Sequence, residues 1–313
     1  MMKKWKEQRV NIILGSFLGI LILLMLLATI CDHSKVSYDH LQKVEPDSVE
    51  KLADGGSVVE LTIDKSVKKC TTVAFCTPHQ YVDVYVDGRD VYSLKETAGR
   101  WGHTTGHVWN FVLLPVNTTH LTVKLSPCYP ETANALLTYY VGNGREICMG
   151  LMRQSLPTFI ISFIILIVGI YMLGYWLLVC KSEDVDATLL YLGLFSVLLG
   201  LWTANETDFA KLLLVNQHAT TFAAYILLMA MPIPFVLFVR SFLDFDDKNI
   251  WRVFCGFSMV MCVISCVLHF TGIWELRQSL ILTHIVIVGL LIYLMRAIVF
   301  KFVKRQVGRR LRT

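Results

Sequence analysis

Four side chains have the chemistry of a ligand-binding set. Trp101 and Trp109 offer flat aromatic surfaces, Arg100 offers a bidentate hydrogen-bond donor, and Tyr85 adds a ring with a hydroxyl. Stacking rings and a planar donor suit sugars or carboxylates. These four residues are therefore the candidate ligand-binding residues, although packing of the aromatic rings in a core is the alternative.

A pair of histidines has the spacing of metal ligands. His103 and His107 lie four residues apart in the sequence HTTGH. They flank a glycine in a predicted loop and no third ligand is near, so we predict no metal site and no cofactor. We also predict no catalytic residue, because the chain offers no clustered acids, histidines or nucleophile with the spacing that catalysis requires.

Three further ionisable residues lie near the ends of predicted membrane helices. Glu206, His269 and His284 are predicted at a similar depth, beneath the segment that carries the candidate ligand-binding residues. A cluster of this kind could couple that segment to the helices, and histidine changes its charge between pH 5 and 8. The alternative is that the three residues only anchor helix ends at the membrane interface.

The composition indicates a membrane protein. Hydrophobic residues make up 55% of the 313 residues and charged residues only 17%, whereas soluble domains are about 45–50% apolar and about 25% charged. The excess of apolar residues is too large for one ordinary core. Intrinsic disorder and a small disulfide-rich scaffold are excluded by the same numbers.

Six apolar stretches are long enough, or nearly so, to cross a bilayer, which requires about 20 residues. The first, 10–30, is longer than the apolar part of a cleavable signal peptide and no small-residue cleavage motif follows it, so we predict a retained signal-anchor helix. The other five form a predicted five-helix transmembrane region over 157–300, at 157–180, 187–204, 219–239, 253–273 and 279–300.

The charges predict the orientation of the chain. Basic residues exceed acidic ones by three in residues 1–9 and by six in residues 301–313, whereas acidic residues exceed basic ones by four in between. Lys and Arg beside apolar segments mark the cytoplasmic side. We therefore expect a plasma-membrane protein with a cytoplasmic N-terminus (1–9), a basic cytoplasmic tail (301–313) and residues 31–156 outside. No aromatic platform accompanies the basic runs, so a nucleic-acid partner is not expected.

The outside segment is predicted to be a β-sandwich. Apolar and polar residues alternate with period two in SVVELTID (57–64), CTTVAFC (70–76), YVDVYVD (81–87), HVWNFVLL (107–114), HLTVKLS (120–126) and ALLTYYVG (135–142). Such alternation is typical of half-buried strands, and Asp87-Gly88 predicts a tight hairpin turn. Residues 32–54 are interpreted as a linker or an edge strand. The predicted fold is therefore a membrane α-helical bundle with an inserted extracellular, jelly-roll-like all-β domain.

Four cysteines lie in this segment: Cys70, Cys76, Cys128 and Cys148. Six residues of strand separate Cys70 from Cys76 by about 20 Å, which is too far for a disulfide unless the strand breaks. A cross-strand pair such as Cys76 with Cys128 is possible, and the sequence leaves the disulfide state open.

Two features of the helical region differ from uninterrupted membrane-spanning helices. Residues 209–216 are too short to cross the membrane, and we expect them to lie at the interface or to pack as a short helix. Pro232 and Pro234 lie inside the fourth apolar stretch and are expected to kink it, because each removes a backbone donor.

Five sequence runs resemble one class of bacterial receptor. They are YVDVYVDGRDVYSLK, GHVWNFVLLP, the VGN before the second apolar stretch, LGLFSVLLGLW and AMPIPFVLF. Over residues 55–300 the chain resembles membrane sensors related to the seven-transmembrane receptors with diverse intracellular signalling modules. The resemblance implies a signal anchor, an extracellular jelly-roll domain and seven helices, commonly followed by a GGDEF diguanylate cyclase or a histidine kinase.

The chain departs from that pattern after its helices. Five predicted spans follow the β-domain where the family has seven, and no GGDEF, kinase histidine or phosphate-binding glycine loop is present. We therefore expect a signal-receptor input module truncated before its effector and without enzymatic activity of its own. The expected partners are the lipid bilayer, an unknown extracellular small molecule or carbohydrate, and a cytoplasmic effector of cyclic-dinucleotide or two-component signalling. A homodimer is possible.

A transporter or channel-associated protein is the alternative function. Transporters place polar or charged groups near the bilayer midplane, often on broken helices. The predicted spans carry few such residues, and no internal repeat is evident. The receptor interpretation is therefore the one that the sequence favours.

Overall fold

The computed structural model describes residues 41–63, 72–95, 102–180, 187–214, 217–243 and 248–310, together with positions 17, 21, 24 and 25. The chain divides into two compact units. The first comprises Met1–Thr97, Thr104–Ile164 and Glu206–Gln217, and the second comprises Ala98–His103, Ile165–Asn205 and His218–Thr313. Apart from the four isolated positions, the predicted signal anchor lies outside the described residues.

Nine strands of the first unit form two antiparallel sheets. The strands are β1 (Gln42–Val44), β2 (Ser48–Lys51), β3 (Ser57–Thr62), β4 (Thr72–Pro78), β5 (Gln80–Val86), β6 (Arg89–Leu94), β7 (His107–Leu113), β8 (His120–Pro127) and β9 (Tyr139–Gly142). The first sheet has the order β1-β9-β4-β7, and the second has the order β2-β3-β8-β5-β6. The predicted β-sandwich is confirmed.

The alternation seen in the sequence produces the core of this sandwich. Along β5, Val82, Val84 and Val86 are buried while the residues between them are half-buried on the outer face. The buried valines pack with Phe75 of the first sheet in one core cluster. At the β5–β6 hairpin both Asp87 (φ 50°) and Gly88 (φ 76°) are left-handed, which is the geometry of the predicted tight turn.

The segment 32–54 contributes two edge strands rather than a linker alone. β1 pairs with β9 at one edge of the first sheet, and β2 pairs with β3 at one edge of the second. Every residue of β2 is exposed. An edge strand of this kind has no buried face, so it shows no alternation in the sequence.

Seven helices are described: α1 (Gly144–Val179), α2 (Thr188–Glu206), α3 (Asp208–Leu213), α4 (Gln217–Ala230), α5 (Pro232–Leu243), α6 (Lys248–Phe270) and α7 (Leu276–Arg310). Among the described residues, five segments are long and apolar enough to cross a membrane: Gly144–Val179, Thr188–Glu206, Gln217–Phe242, Ile250–Phe270 and Leu276–Arg296. The helical membrane region predicted from the sequence is thus present. α3 is the short helix expected near residues 209–216.

α1 begins at Gly144, well before the predicted start at 157 and inside the segment assigned to the β-domain. The Asn143 side chain accepts a hydrogen bond from the Arg145 N–H (3.0 Å), which caps this start. Ile147 and Leu151 are buried against the first sheet. Hydropathy detects only the apolar part of the helix, and therefore misses the turns that pack on protein instead of lipid.

Within the second unit, α1 and α2 approach closely through glycines. A Cβ on Gly200 would lie 2.7 Å from the Leu166 nitrogen, and a Cβ on Gly169 would lie 2.7 Å from the Val197 nitrogen. Small residues allow such contact between helix backbones in membranes. Farther along the chain, Trp251 is buried between α5, α6 and α7. The helical conformation is interrupted between α4 and α5 at Met231, next to Pro232.

Candidate functional site

The outer face of the first sheet is covered by helices, and we call this covered surface the docking face. Its side chains alternate with the core residues on β4, β7 and β9, and the covering side chains come from α1 and α3 of the same unit. The sheet contributes Ala74, Trp109, Phe111 and Tyr140, and the helices contribute Ile147, Leu151 and Leu212. Apolar burial of this kind stabilises the packing of helix on sheet.

One polar contact fixes α3 on the docking face. The Trp109 indole N–H donates a hydrogen bond to the Asp208 carboxylate at 3.0 Å. Asp208 is the first residue of α3, and the hydroxyl of the preceding Thr207 caps the helix by accepting from the Ala210 N–H at 3.3 Å. A hydrogen bond to a charged acceptor is stronger than a neutral one. The contact therefore fixes the helix at one position on the sheet.

The charges of α3 affect the docking face. Burial raises the pKa of the Cys76 thiol to about 11, and Asp208 adds to this effect while Lys211 opposes it. Burial and Asp208 also raise the pKa of the Tyr140 hydroxyl. Lys211 lies 3.6 Å from the Glu206 carboxylate. The carboxylate of Asp208 thus lies among groups that are neutral at physiological pH, with Lys211 as the nearby positive charge.

The sandwich and the first membrane helix are joined without a linker. β9 ends at Gly142, α1 begins at Gly144, and only Asn143 lies between them. Space at the junction is tight, since a Cβ on Gly144 would lie 2.9 Å from the Thr72 hydroxyl oxygen. β9 is an interior strand, paired with both β1 and β4. The junction is therefore held by hydrogen bonds on both sides of the strand that leads into it.

A second polar cluster lies in the second unit, at the turn between α6 and α7. The Glu275 carboxylate accepts a hydrogen bond from the His103 backbone N–H at 3.0 Å. His269 Nδ1 accepts from the Leu276 N–H at 3.4 Å, at the start of α7. Gly102 has φ +98°, and a Cβ there would lie 3.2 Å from the His269 ring. The start of α7 is thus held by the His269 side chain, and the preceding Glu275 contacts the chain segment 102–103.

Of the four candidate ligand-binding residues the structure describes two, Tyr85 and Trp109, and it does not bring these two together. Tyr85 lies on β5 of the second sheet, where its register partners are Thr122 and Asp90. Trp109 lies on β7 of the first sheet and faces the helices. Their side chains are on opposite outer faces of the sandwich. Arg100 and Trp101 lie outside the described residues.

The three candidate coupling residues have separate local partners. Glu206 lies beside Lys211 in the first unit. In the second unit, His269 binds the Leu276 N–H, and His284 Nδ1 lies 2.8 Å from the Leu280 carbonyl of its own helix, to which it donates. These contacts are those of helix ends and helix interiors, and the proposed coupling role remains a prediction.

The cysteine and histidine predictions can be compared with the described residues. Cys76 is a free thiol on the docking face, so the pair with Cys128 is not formed. The reason is geometric, because Cys76 lies on the outer face of the first sheet beside Trp109, whereas Cys128 follows β8 of the other sheet. Cys70 lies outside the described residues. The His107 ring packs edge-on against His79 at 5.0 Å, and the described part of the chain contains no group of three or more potential metal ligands.

Sequence reasoning missed the contact between Trp109 and Asp208. Thr207-Asp208 is a helix N-terminus signature, so the sequence could have located the start of α3. The partner lies 99 residues away along the chain. No local pattern connects residues at that separation, and Trp109 was considered only for its aromatic surface.

Comparison with known proteins supports a signalling family. A family model described as 7TM diverse intracellular signalling matches residues 156–312, which is half of the chain. The matched region contains α2 to α7 and all of α1 beyond its docked N-terminal turns. Searches of curated proteins and of solved structures give no match.

Proposed function

The chain belongs to the family described as 7TM diverse intracellular signalling, and from this premise we propose that it is the input module of a membrane signal receptor. The β-sandwich binds an extracellular small molecule or carbohydrate, and the helices pass the resulting change to a cytoplasmic effector of cyclic-dinucleotide or two-component signalling. In this proposal the chain lies in the plasma membrane with both termini in the cytoplasm, and it catalyses no reaction itself.

The observation that carries the proposal is the junction from β9 to α1. A strand inside the first sheet continues through one residue into a helix of 36 residues. Such a helix is about 54 Å long, whereas the bilayer core is about 30 Å thick. The docked turns from Gly144 to Leu151 account for about 12 Å of the excess length. A displacement of β9 therefore displaces the membrane span as well, because no flexible linker absorbs it.

The docking of α3 supplies a second connection. α3 lies between two membrane segments, Thr188–Glu206 and Gln217–Phe242, and is bound to the sandwich through Asp208 and Leu212. A ligand shifts a conformational equilibrium only by its difference in affinity for the two states. The sandwich can transmit such a difference if the contacts at α1 and α3 differ between states.

A reporter fusion tests this function. The chain is fused after Thr313 to a diguanylate cyclase domain, and basal output is compared between the parent and Asp208→Ala. We expect altered output at unchanged membrane abundance. The matched control is Asp90→Ala, which removes an exposed carboxylate from β6 on the second sheet. Unchanged output in Asp208→Ala, or an equal change in the control, contradicts the proposal.

The same reporter tests the coupling residues. Glu206→Gln, His269→Gln and His284→Gln each remove one titratable group, so the coupling role predicts altered basal output or an altered response between pH 5.5 and 8. Normal output from all three variants across that pH range contradicts the coupling role and leaves these residues as anchors of helix ends.

Thiol labelling in intact cells tests the orientation. In a cysteine-free background, Ser93→Cys places a thiol on the exposed β6 strand, where a membrane-impermeant maleimide is expected to react. A cysteine introduced at Thr313 is expected to react only after the cells are opened. The reverse pattern rules out an extracellular sandwich.

A further inference from the structure

A cavity of about 170 Å³, open to the surroundings on one side, lies in the second unit, between α2, α7 and the break that separates α4 from α5. All of its lining side chains are apolar; among them are Phe195, Leu228, Met231, Pro232, Ile287 and Leu291. Nothing in this lining can bind water or a polar ligand through a side chain.

The lining lies at the middle depth of the membrane segments. Phe195 is near the centre of Thr188–Glu206, Met231 near the centre of Gln217–Phe242, and Ile287 near the centre of Leu276–Arg296. The centre of a spanning segment lies in the hydrocarbon core of the bilayer. Lipid acyl chains surround the protein at this depth, so the position of the cavity and its apolar lining both favour an aliphatic occupant.

The cavity is continuous with the surface that faces lipid. Leu291 lines the cavity and is also 48% exposed. Its neighbours Val288 and Ile292 on α7 are 54% and 65% exposed, as expected of side chains in contact with the bilayer. A chain in the bilayer therefore reaches the cavity past Leu291 without crossing a polar layer.

The wall of the cavity includes a point where helical hydrogen bonding is interrupted. Pro232 has no N–H, so the Leu228 carbonyl loses the donor that it would have in a continuous helix, and both residues line the cavity. The flanking hydrogen bonds are present, from the Met231 N–H to the Leu227 carbonyl at 3.1 Å and from the Phe235 N–H to the Met231 carbonyl at 3.4 Å. An occupant of the cavity therefore packs directly against a break that can bend.

We propose that an acyl chain of a bilayer lipid occupies this cavity and packs against the break between α4 and α5. The chain fills a void that would otherwise lack dispersion contacts on one side. Lipid composition then affects the bend between α4 and α5. This site is separate from any ligand site on the sandwich and does not depend on the receptor function.

Photolabelling of the full chain tests the proposal. The protein is reconstituted in phosphatidylcholine vesicles in which part of the lipid carries a diazirine at the middle of one acyl chain. After irradiation, adducts are located by mass spectrometry. We expect adducts at Met231 and Leu228, on the wall of the cavity. Leu290 also lines the cavity. Leu290→Trp places a larger side chain there and is expected to reduce that labelling about tenfold, because the space for dispersion contacts is lost.

Two further variants make the result decisive. Ile292→Trp enlarges a side chain on the lipid-facing surface instead, and is expected to leave the labelling at Met231 unchanged. Leu228→Phe fills the cavity more mildly, and keeps the test valid if Leu290→Trp does not fold. Absence of adducts at the break in the parent protein overturns the proposal, as do adducts that persist in both filled variants. In a cysteine-free background, a Leu291→Cys variant that forms a disulfide-linked dimer while lipid adducts are absent also overturns it, and assigns the cavity to a helix of a second copy.

Discussion

Replacing Trp109 by Phe removes one hydrogen bond from the docking face and little else. The phenyl ring keeps most of the aromatic contact with Tyr140 and Phe111, whereas the donor to Asp208 is lost. Hydrogen bonds to charged groups contribute about 1.5–3 kcal/mol. Since 1.4 kcal/mol is a factor of ten in an equilibrium constant, the population in which α3 has left the sheet is expected to rise about 10- to 150-fold.

Cys76 reports that population directly. It lies opposite Trp109 in the register of β4 and β7, and its thiol has a pKa of about 11 instead of the ordinary value of 9.0. At pH 8 this leaves about one thiol in a thousand ionised instead of about one in ten, and the thiolate is the reactive form. Asp208 and Lys211 of α3 both act on this half-buried thiol, so dissociation of α3 is expected to increase its exposure and to lower its pKa toward the ordinary value. Labelling therefore proceeds mainly through the dissociated state.

The assay measures the maleimide labelling rate of Cys76 at pH 8, with all other cysteines replaced. Trp109→Phe is expected to accelerate labelling in proportion to the dissociated population. Asp208→Asn is expected to have a smaller effect in the same direction, because an amide oxygen still accepts the indole hydrogen bond but carries no charge.

A matched control distinguishes docking from general destabilisation. Ser93→Ala removes the hydrogen bond from the Ser93 hydroxyl to the Asp83 carboxylate (2.6 Å), which lies on the second sheet and away from α3. It is expected to leave Cys76 labelling unchanged. A rate in Trp109→Phe within about twofold of the parent, when loss of a charge-assisted hydrogen bond should give tenfold or more, refutes the assigned role of this contact.

Three further outcomes are expected. Tyr139→Phe should stabilise the sandwich by about 1 kcal/mol, since it removes a buried hydroxyl with no hydrogen-bond partner among the described residues. Because burial raises the pKa of Tyr139, the parent protein should also lose stability above pH 10, where the hydroxyl ionises only in the unfolded chain. Thermal melts from pH 7 to 11 measure both effects. Gly200→Ala should lower the melting temperature by forcing α1 and α2 apart, whereas Gly174→Ala, which has open space, should not. Gly102→Ala should speed hydrogen exchange at the start of α7, whereas Gly88→Ala, also at positive φ but unobstructed, should not.

The sequence predicted the strands that have one buried face. In β3 and β5 the alternation of apolar and polar residues corresponds to the alternation of buried and outward-facing side chains, and Asp87-Gly88 predicted its turn. It could not separate a linker from the edge strand β2, whose residues are all exposed. The start of α1 was missed for a related reason, because its first turns bury only Ile147 and Leu151 and lack the long apolar run that identifies a span.

The contacts of the candidate residues could not be predicted from the sequence. Trp109 was selected for its aromatic surface, whereas its contact with Asp208 depends on the folding together of segments 99 residues apart. Tyr85 and Trp109 were grouped because their aromatic rings suit the same kind of ligand. Their strands belong to different sheets, and sequence distance does not distinguish the two sheets of a sandwich.

The junction between β9 and α1 also limits how the β-domain of this chain can be exchanged for another. Ile147 and Leu151 lie one helical turn apart and both bind the sheet, so the rotational phase of α1 is set before the helix reaches lipid. One residue inserted after Leu151 would rotate the rest of the span by about 100° and move it by about 1.5 Å. Exchange of the β-domain should therefore succeed when the residue count from Gly142 to the span is kept. Where it is not, insertions of seven residues, about two full turns, should be tolerated better than insertions of one or two.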